Sequence, residues 1–185
     1  YAAVTHPIAD DSADGRARRA AALVDLVVRK YAPLPAASLT YLARLLGYGA
    51  PHLKTQIQAA LGQAREALPS CRIDGVTWYW PAGEDPNARR HVVDDQVRLL
   101  APFDPVVWDR RRFELLWGWT YKFEAYTPAS RRSFGYYALP MLWQERVIGW
   151  ANVSVRDGRV ESEFGYVDGK PKGAAFRNAL EDEMQ

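Results

Sequence analysis

Three carboxylates and a run of arginines are the residues of this chain best suited to chemistry. Asp104 and Asp109 lie in Leu99-Leu100-Ala101-Pro102-Phe103-Asp104-Pro105-Val106-Val107-Trp108-Asp109-Arg110-Arg111-Arg112, and Glu124 follows downstream. Paired acids can activate water as a general base or stabilise a developing cation. Acids beside arginines also build structural ion pairs, so the alternative role is bracing. The stretch starts as an apolar strand, breaks at two prolines around an acid and ends in three arginines. This pattern describes a site-forming connection in which buried Phe103 and Trp108 anchor charged groups that face a groove.

A second constellation is basic with interleaved aromatics: Arg110, Arg111, Arg112, Lys122, Tyr126, Arg131, Arg132, Tyr136 and Tyr137. Such a surface suits backbone tracking and the stacking of unpaired bases, and its alternative is a solvated charge run. A third is the outer face of an expected helix, with His52, Lys54, Gln56, Gln63 and Arg65, which can hydrogen-bond to bases or phosphates. Only two of these are permanent cations and Glu66 offsets one, so a solvated helix in a scaffolding module is the competing reading. His6, His52 and His91 match no ligand spacing, and no metal site is expected. No glycine-rich phosphate loop implies a nucleotide cofactor, and no nucleophile elbow is present. The single cysteine, Cys71, excludes an internal disulfide and a Cys-rich metal site, and it reads as a small apolar strand residue.

The elements that must position these groups come in two kinds. Residues 1–15 read as an irregular lead-in whose Asp10, Asp11, Ser12 and Asp14 suit a helix N-terminus. A helix follows over 16–31, with Ala20, Val24, Val27, Val28 and Tyr31 at helical spacing. Pro33 and Pro35 stop it. Ser38 or a neighbour is expected to cap a second helix that uses Leu39, Leu42, Leu45 and Leu46 and ends at Gly47 and Gly49. Pro51 opens a third, with Leu53, Ile57, Ala60, Leu61, Ala64 and Leu68 inward. Asp74-Gly75 between two strand-like runs marks a hairpin, because a type I′ turn needs positive φ at both central residues. Three helices and a hairpin over 16–82 are the order of a winged helix-turn-helix module.

Residues 83–96 read as a linker, after which the period changes. Strands are expected at 97–100, 119–126, 134–142, 147–155 and 159–167, with a short helix at 110–116. Strands at turn-marked spacing over 97–172 imply a small antiparallel β-barrel or sandwich, and the fold class is α+β. Residues 173–185 form a tail or last helix with Phe176 and Leu180 on one side. With 24 Lys and Arg against 22 Asp and Glu, the net charge of +2 does not by itself argue for nucleic acid. No apolar run approaches the roughly 18–20 residues needed to span a membrane. A soluble cytoplasmic protein is the default expectation. Because it starts at Tyr1 in an extended segment, the chain is expected to be the C-terminal part of something longer.

Residues 99–112, then Trp117-Gly118-Trp119-Thr120-Tyr121-Lys122-Phe123-Glu124-Ala125-Tyr126-Thr127-Pro128, then Phe134-Gly135-Tyr136-Tyr137-Ala138-Leu139-Pro140, resemble one family in order and in content. It is the winged-helix DNA glycosylases that act on alkylated bases and interstrand crosslinks (YcaQ/AlkZ-like). Ala101 stands where the family pattern has Ser. The resemblance implies tandem winged helices followed by a C-terminal β-barrel around a DNA channel, with duplex DNA as partner and no metal or organic cofactor. It implies a catalytic Gln-apolar-Asp or Gln-apolar-Gln motif in the first winged helix of a full-length chain, which would be a monofunctional DNA N-glycosylase. Gln56-Ile57-Gln58 matches that string but lies in what reads as the last module, so no catalytic residue is carried over and this portion alone is expected to be inactive. Lys54, Arg65, Arg110, Arg111, Arg112, Lys122, Arg131 and Arg132 are the expected DNA contacts. Asp104, Asp109, Glu124, Tyr126 and Tyr136 are expected to line the channel or brace it. Rival readings are a non-catalytic winged-helix DNA-binding or regulatory protein and a protein-interaction scaffold.

Overall fold

The computed structural model describes residues 9–185, so His6 and the first half of the expected lead-in lie outside the described residues. The chain forms two compact units, 1–84 and 85–185. In the first, helix α1 (Ala13–Tyr31) begins earlier than its apolar spacing implies, because Ser12 caps it: the hydroxyl accepts from Gly15 N at 3.0 Å. Ala20, Val24, Val27 and Val28 form its buried face. A two-residue strand, β1 (Leu34–Pro35), leads directly into α2 (Ala36–Gly49). Ser38 is therefore not the cap. Pro35 already occupies that position in an extended conformation, and Ser38 turns inward, buried, with no hydrogen-bond partner for its hydroxyl. The helix also runs through Gly47 to Gly49 before it ends at Ala50. Pro51 heads a 3-10 turn (Pro51–Leu53) rather than the third helix itself, α3 (Lys54–Ala67), which buries Ile57, Ala60 and Leu61.

Strands β2 (Ser70–Ile73) and β3 (Val76–Tyr79) are joined by Asp74 and Gly75 at φ 49° and 78°, the conformation of the type I′ turn. The antiparallel sheet has the order β1-β3-β2. Cys71 lies in β2 opposite Trp78 but is exposed, because β2 is an edge strand whose residues all face solvent. Its strand position matches expectation, and its burial does not.

The second unit contains β4 (Val97–Leu99), α4 (Pro105–Trp108), α5 (Arg110–Trp117), β5 (Leu139–Trp143), β6 (Arg146–Arg156), β7 (Arg159–Tyr166) and α6 (Ala174–Glu183). Its antiparallel sheet has the order β4-β5-β6-β7 and is open, with β4 and β7 as edges. The expected barrel or sandwich is absent for a definite reason. Residues 119–126 alternate in polarity, yet they form no ladder, and 134–138 remain irregular before β5 begins. Alternation in 119–123 instead reflects aromatic packing: Trp119 and Tyr121 sit in a cluster with Phe113, Phe134 and Trp150. Without those strands, nothing joins β4 to β7.

The sheet carries a core on each face. Leu100, Val107, Phe113, Tyr121, Ala138 and Val147 form one, and Val97, Met141 and Phe176 form the other, against which Leu180 also packs. Glu183 of α6 accepts from Leu99 N at 2.7 Å and thereby occupies a backbone donor at the β4 edge. No helix among the described residues is long and apolar enough to cross a membrane.

Gly165 faces Trp150 across the β6–β7 ladder, and a Cβ there would collide with the indole. That indole cannot easily yield, since it stacks on Trp119 at 5.9 Å and meets Phe134 edge-on at 4.9 Å. Gly165→Ala is expected to destabilise the second unit by about 1–3 kcal/mol, measured by chemical denaturation followed through tryptophan fluorescence.

Candidate nucleic-acid interface

The acids of the opening stretch do local structural work. Asp104 caps α4: one carboxylate oxygen accepts from Val106 N at 2.8 Å, and Pro105 fills the first helical position, where a missing N–H costs nothing. Asp109 caps α5 by accepting from Arg112 N at 3.1 Å, and its other oxygen, Oδ2, is buried without a hydrogen-bond partner. Gly118, at φ 67°, ends α5 in the left-handed conformation. Two helices therefore start and stop in quick succession because capping residues stand at each boundary, with Asp109 closing one helix and opening the next.

The three arginines separate. Arg112 is 3% exposed, and its guanidinium donates to the carbonyls of Pro105 and Val106, which short α4 leaves without helical partners. It is a brace between α4 and α5, which removes it from the expected phosphate-binding set. Arg110 is half-buried, donates to Val107 O at 2.5 Å and Pro102 O at 2.8 Å, and lies 4.4 Å from the centroid of the Tyr121 ring. Burial lowers its guanidinium from the ordinary value, and the Tyr121 phenol opposes that shift. Arg111 is exposed.

Glu124 is 5% exposed, and one carboxylate oxygen, Oε2, accepts from Ser133 N at 2.8 Å and Phe134 N at 2.7 Å. It closes the loop carrying Tyr126, Arg131 and Arg132. Tyr121 makes the parallel tie: its buried hydroxyl donates to Ala138 O at 2.7 Å. Desolvation pushes the Tyr121 phenol up to about 12, against the opposing charge of Arg110.

On this scaffold Lys122 and Arg131 are exposed. Arg132 is half-buried, donates to Thr127 O at 2.8 Å and lies 5.0 Å from the Tyr136 ring centroid. Tyr126 is 94% exposed and Tyr136 60%. Phe103, expected to be a buried anchor, is 63% exposed, while Trp108 is half-buried. Phe103 meets Phe123 edge-on at 5.3 Å, and Phe123 also contacts Tyr137 at 5.3 Å and Tyr126 at 6.2 Å. Sequence reasoning placed Phe103 inside as an anchor and did not assign Phe123 to the candidate site. The available signal was an apolar residue beside a cation, Phe123 after Lys122, in a segment too polar to be a core strand.

In the first unit, Lys54 and Arg65 are exposed on α3, and Arg65 donates to Thr40 Oγ1 of α2 at 2.5 Å. Gln56 is half-buried and Gln58 exposed, on either side of fully buried Ile57. Among the described residues no three His, Cys, Asp or Glu side chains gather as a metal-binding group.

The chain is α+β, and in its second unit exposed Lys122 and Arg131 share a segment with exposed Tyr126 and Tyr136 while Asp109 and Glu124 are buried. The family described as DNA glycosylase AlkZ-like matches residues 1–185, and the chain belongs to that family. No solved structure matches it at a significant level. Membership makes it a relative of DNA-repair glycosylases, with DNA as the family's substrate or partner.

Removing the Glu124 carboxylate orphans two backbone donors. Glu124→Ala is expected to cost about 2–4 kcal/mol in denaturant unfolding of the second unit, and Glu124→Gln, which keeps an acceptor, about 1 kcal/mol. For Tyr121 the fold favours the neutral phenol. Its contribution to stability is complete below the ordinary pKa of 10.0 and is lost as pH rises through about 12. A phenolate absorbance titration of wild type minus Tyr121→Phe is expected to show one group ionising near 12; a difference centred near the ordinary 10.0 contradicts the burial.

Proposed function

We propose that this chain is the DNA-binding C-terminal portion of an AlkZ-like DNA glycosylase that excises alkylated or crosslinked bases, with the catalytic residues elsewhere in the protein. The observation that carries the reading is the placement of charge in two segments of the second unit, 99–112 and 118–138. Asp104, Asp109 and Glu124 are spent on backbone amides, while Arg111, Lys122 and Arg131 remain in solvent. With Asp109 and Glu124 buried and Asp104 half-buried, the exposed charges of residues 118–138 are cationic, as phosphate binding requires, while Glu114 of α5 is the exposed acid nearest to them in sequence. Arg110 and Arg132 border that surface, held by carbonyls and rings. Duplex DNA is the proposed partner.

In the first unit, the order α1-β1-α2-α3-β2-β3 with its three-stranded sheet supports a winged-helix reading, in which α3 enters the major groove. Lys54 and Arg65 are the cations it would present. This also keeps the second reading in play, a non-catalytic regulator that binds DNA through the first unit alone.

The test is duplex binding by the whole chain, followed by fluorescence anisotropy over a range of salt. Replacing Arg111, Lys122 and Arg131 together with Ala is expected to weaken binding more than Lys54→Ala with Arg65→Ala. It should also lower the slope of log affinity against log salt by about 0.9 for each phosphate that is no longer neutralised. The opposite ranking favours the regulator. Base release from alkylated duplex DNA by the whole protein, with none by residues 1–185 alone, is the expected activity result; no release by the whole protein removes the glycosylase reading.

A further inference from the structure

The three rings around Phe123 are out of place for a protein that touches only the phosphates of paired DNA. Phe103, Tyr126 and Tyr137 are 63%, 94% and 42% exposed, and each packs against Phe123 rather than into the core. Exposed aromatic surface is costly to leave in water, and gathered rings mark a binding surface more often than single ones do. The main chain that carries Phe123, Tyr126 and Tyr137 is also tied down. Glu124 ties the Phe123–Tyr126 segment to Ser133 and Phe134, and Tyr121 ties it to Ala138, next to Tyr137. A platform fixed by main-chain hydrogen bonds loses little entropy when a flat ligand stacks on it.

Three cations beside the rings indicate the ligand, while Glu161 and Glu163 line the pocket on the side of Tyr136 and Tyr137. Arg110 is bonded to the carbonyl of Pro102, the residue before Phe103. Lys122 precedes Phe123 and is exposed. Arg132 is bonded to the carbonyl of Thr127, the residue after Tyr126, and lies over Tyr136, the residue before Tyr137. Each outer ring therefore has a cation held on an adjacent residue, by a carbonyl beside Phe103 and Tyr126 and over the Tyr136 ring beside Tyr137, and the central Phe123 has Lys122 one residue before it. An apolar protein segment gains nothing from that pattern. A strand of flat bases joined by anionic phosphates matches both halves of it.

We infer that Phe103, Phe123, Tyr126 and Tyr137 form a stacking platform for unpaired DNA bases, with Arg110, Lys122 and Arg132 positioned toward the phosphates between them. The inference rests on the DNA-binding reading of the second unit and deepens it: the platform takes bases out of the duplex, or the strand left unpaired beside a lesion. In a paired duplex the base faces are covered by their neighbours, so the rings contribute only where pairing is broken.

The experiment measures binding of residues 1–185 to two fluorescent DNAs of the same sequence, a fully paired duplex and a duplex with a short single-stranded gap containing 2-aminopurine. Tyr126→Ala is the primary variant because its ring is almost wholly in solvent, so the fold does not depend on it; Phe103→Ala is the second. The expected result is about fivefold or more weaker binding to the gapped DNA for each variant, because one stacking surface has been removed, with the paired duplex changed by less than about twofold. The 2-aminopurine emission should be quenched on binding to wild type and recover in the variants, while the salt slope stays unchanged. Equal weakening on both DNAs, or none on either, overturns the platform while leaving duplex binding intact. Ring-dependent binding to the gap without binding to the duplex upholds the platform and removes the duplex reading. No affinity for either DNA overturns both.

Discussion

One buried carboxylate holds the irregular half of the second unit in shape. Glu124 receives the amides of Ser133 and Phe134, nine and ten residues further on, through a single oxygen. The segment from Gly118 to Ala138 has no strand and only one 3-10 turn, so it has little ladder to supply its backbone hydrogen bonds. In such a segment each tie from a side chain to the main chain replaces part of the missing ladder. Glu124 closes one loop, Tyr121 reaches across to Ala138, Arg132 takes the Thr127 carbonyl, and Asn152 donates to Phe134 O at 2.7 Å. These ties fix where Tyr126, Arg131 and Tyr137 emerge.

Beneath them the aromatic cluster supplies the adhesion. Phe113, Trp119, Tyr121, Phe134 and Trp150 contact one another at centroid distances between 4.9 and 6.4 Å, in tilted, edge-on and stacked arrangements. Large rings bury much area with few rotatable bonds, so a short chain can be anchored without a second sheet. The cost is sensitivity at the sheet face, where a Cβ at Gly149 would collide with the backbone of β7 and one at Gly165 with the Trp150 indole. Polar side chains then have two fates. Those that can accept from amides go inward as caps and clamps, and cations not needed to satisfy carbonyls stay outside. Arg112 and Arg111, adjacent in sequence, show both outcomes.

How far the sequence could be read depended on the range of each interaction. Asp74-Gly75 was legible because a two-residue turn is decided by the residues within it. The family was legible because its motifs run in order from Leu99 to Pro140, and membership does not require knowing what each residue touches. The barrel was not, since period-two alternation in 119–123 looks the same whether the inward side chains pack on a sheet or on a cluster of rings. The start of α2 was placed only as far as Ser38 or a neighbour, because nothing local shows that β1 ends directly at the helix with Pro35 as its cap. Glu124 as a clamp, Arg112 as a buried brace and Phe103 in solvent were illegible for one reason. Each depends on partners brought together only after the loop has closed.

That same dependence separates the segment from a paired strand. In a paired strand, successive side chains alternate between core and solvent, so Phe123, Glu124 and Tyr126 would be assigned to faces by parity alone. Freed from parity, the chain buries Glu124, keeps Phe123 half-covered and leaves Tyr126 outside, so a ring cluster can form above its own clamp. A rigid surface of rings and cations then arises from side-chain ties rather than from sheet geometry. Its shape is set by a few residues whose removal would displace all of it together. Binding by such a surface is expected to fail through the Glu124 clamp as well as through the rings, even though the carboxylate faces no ligand.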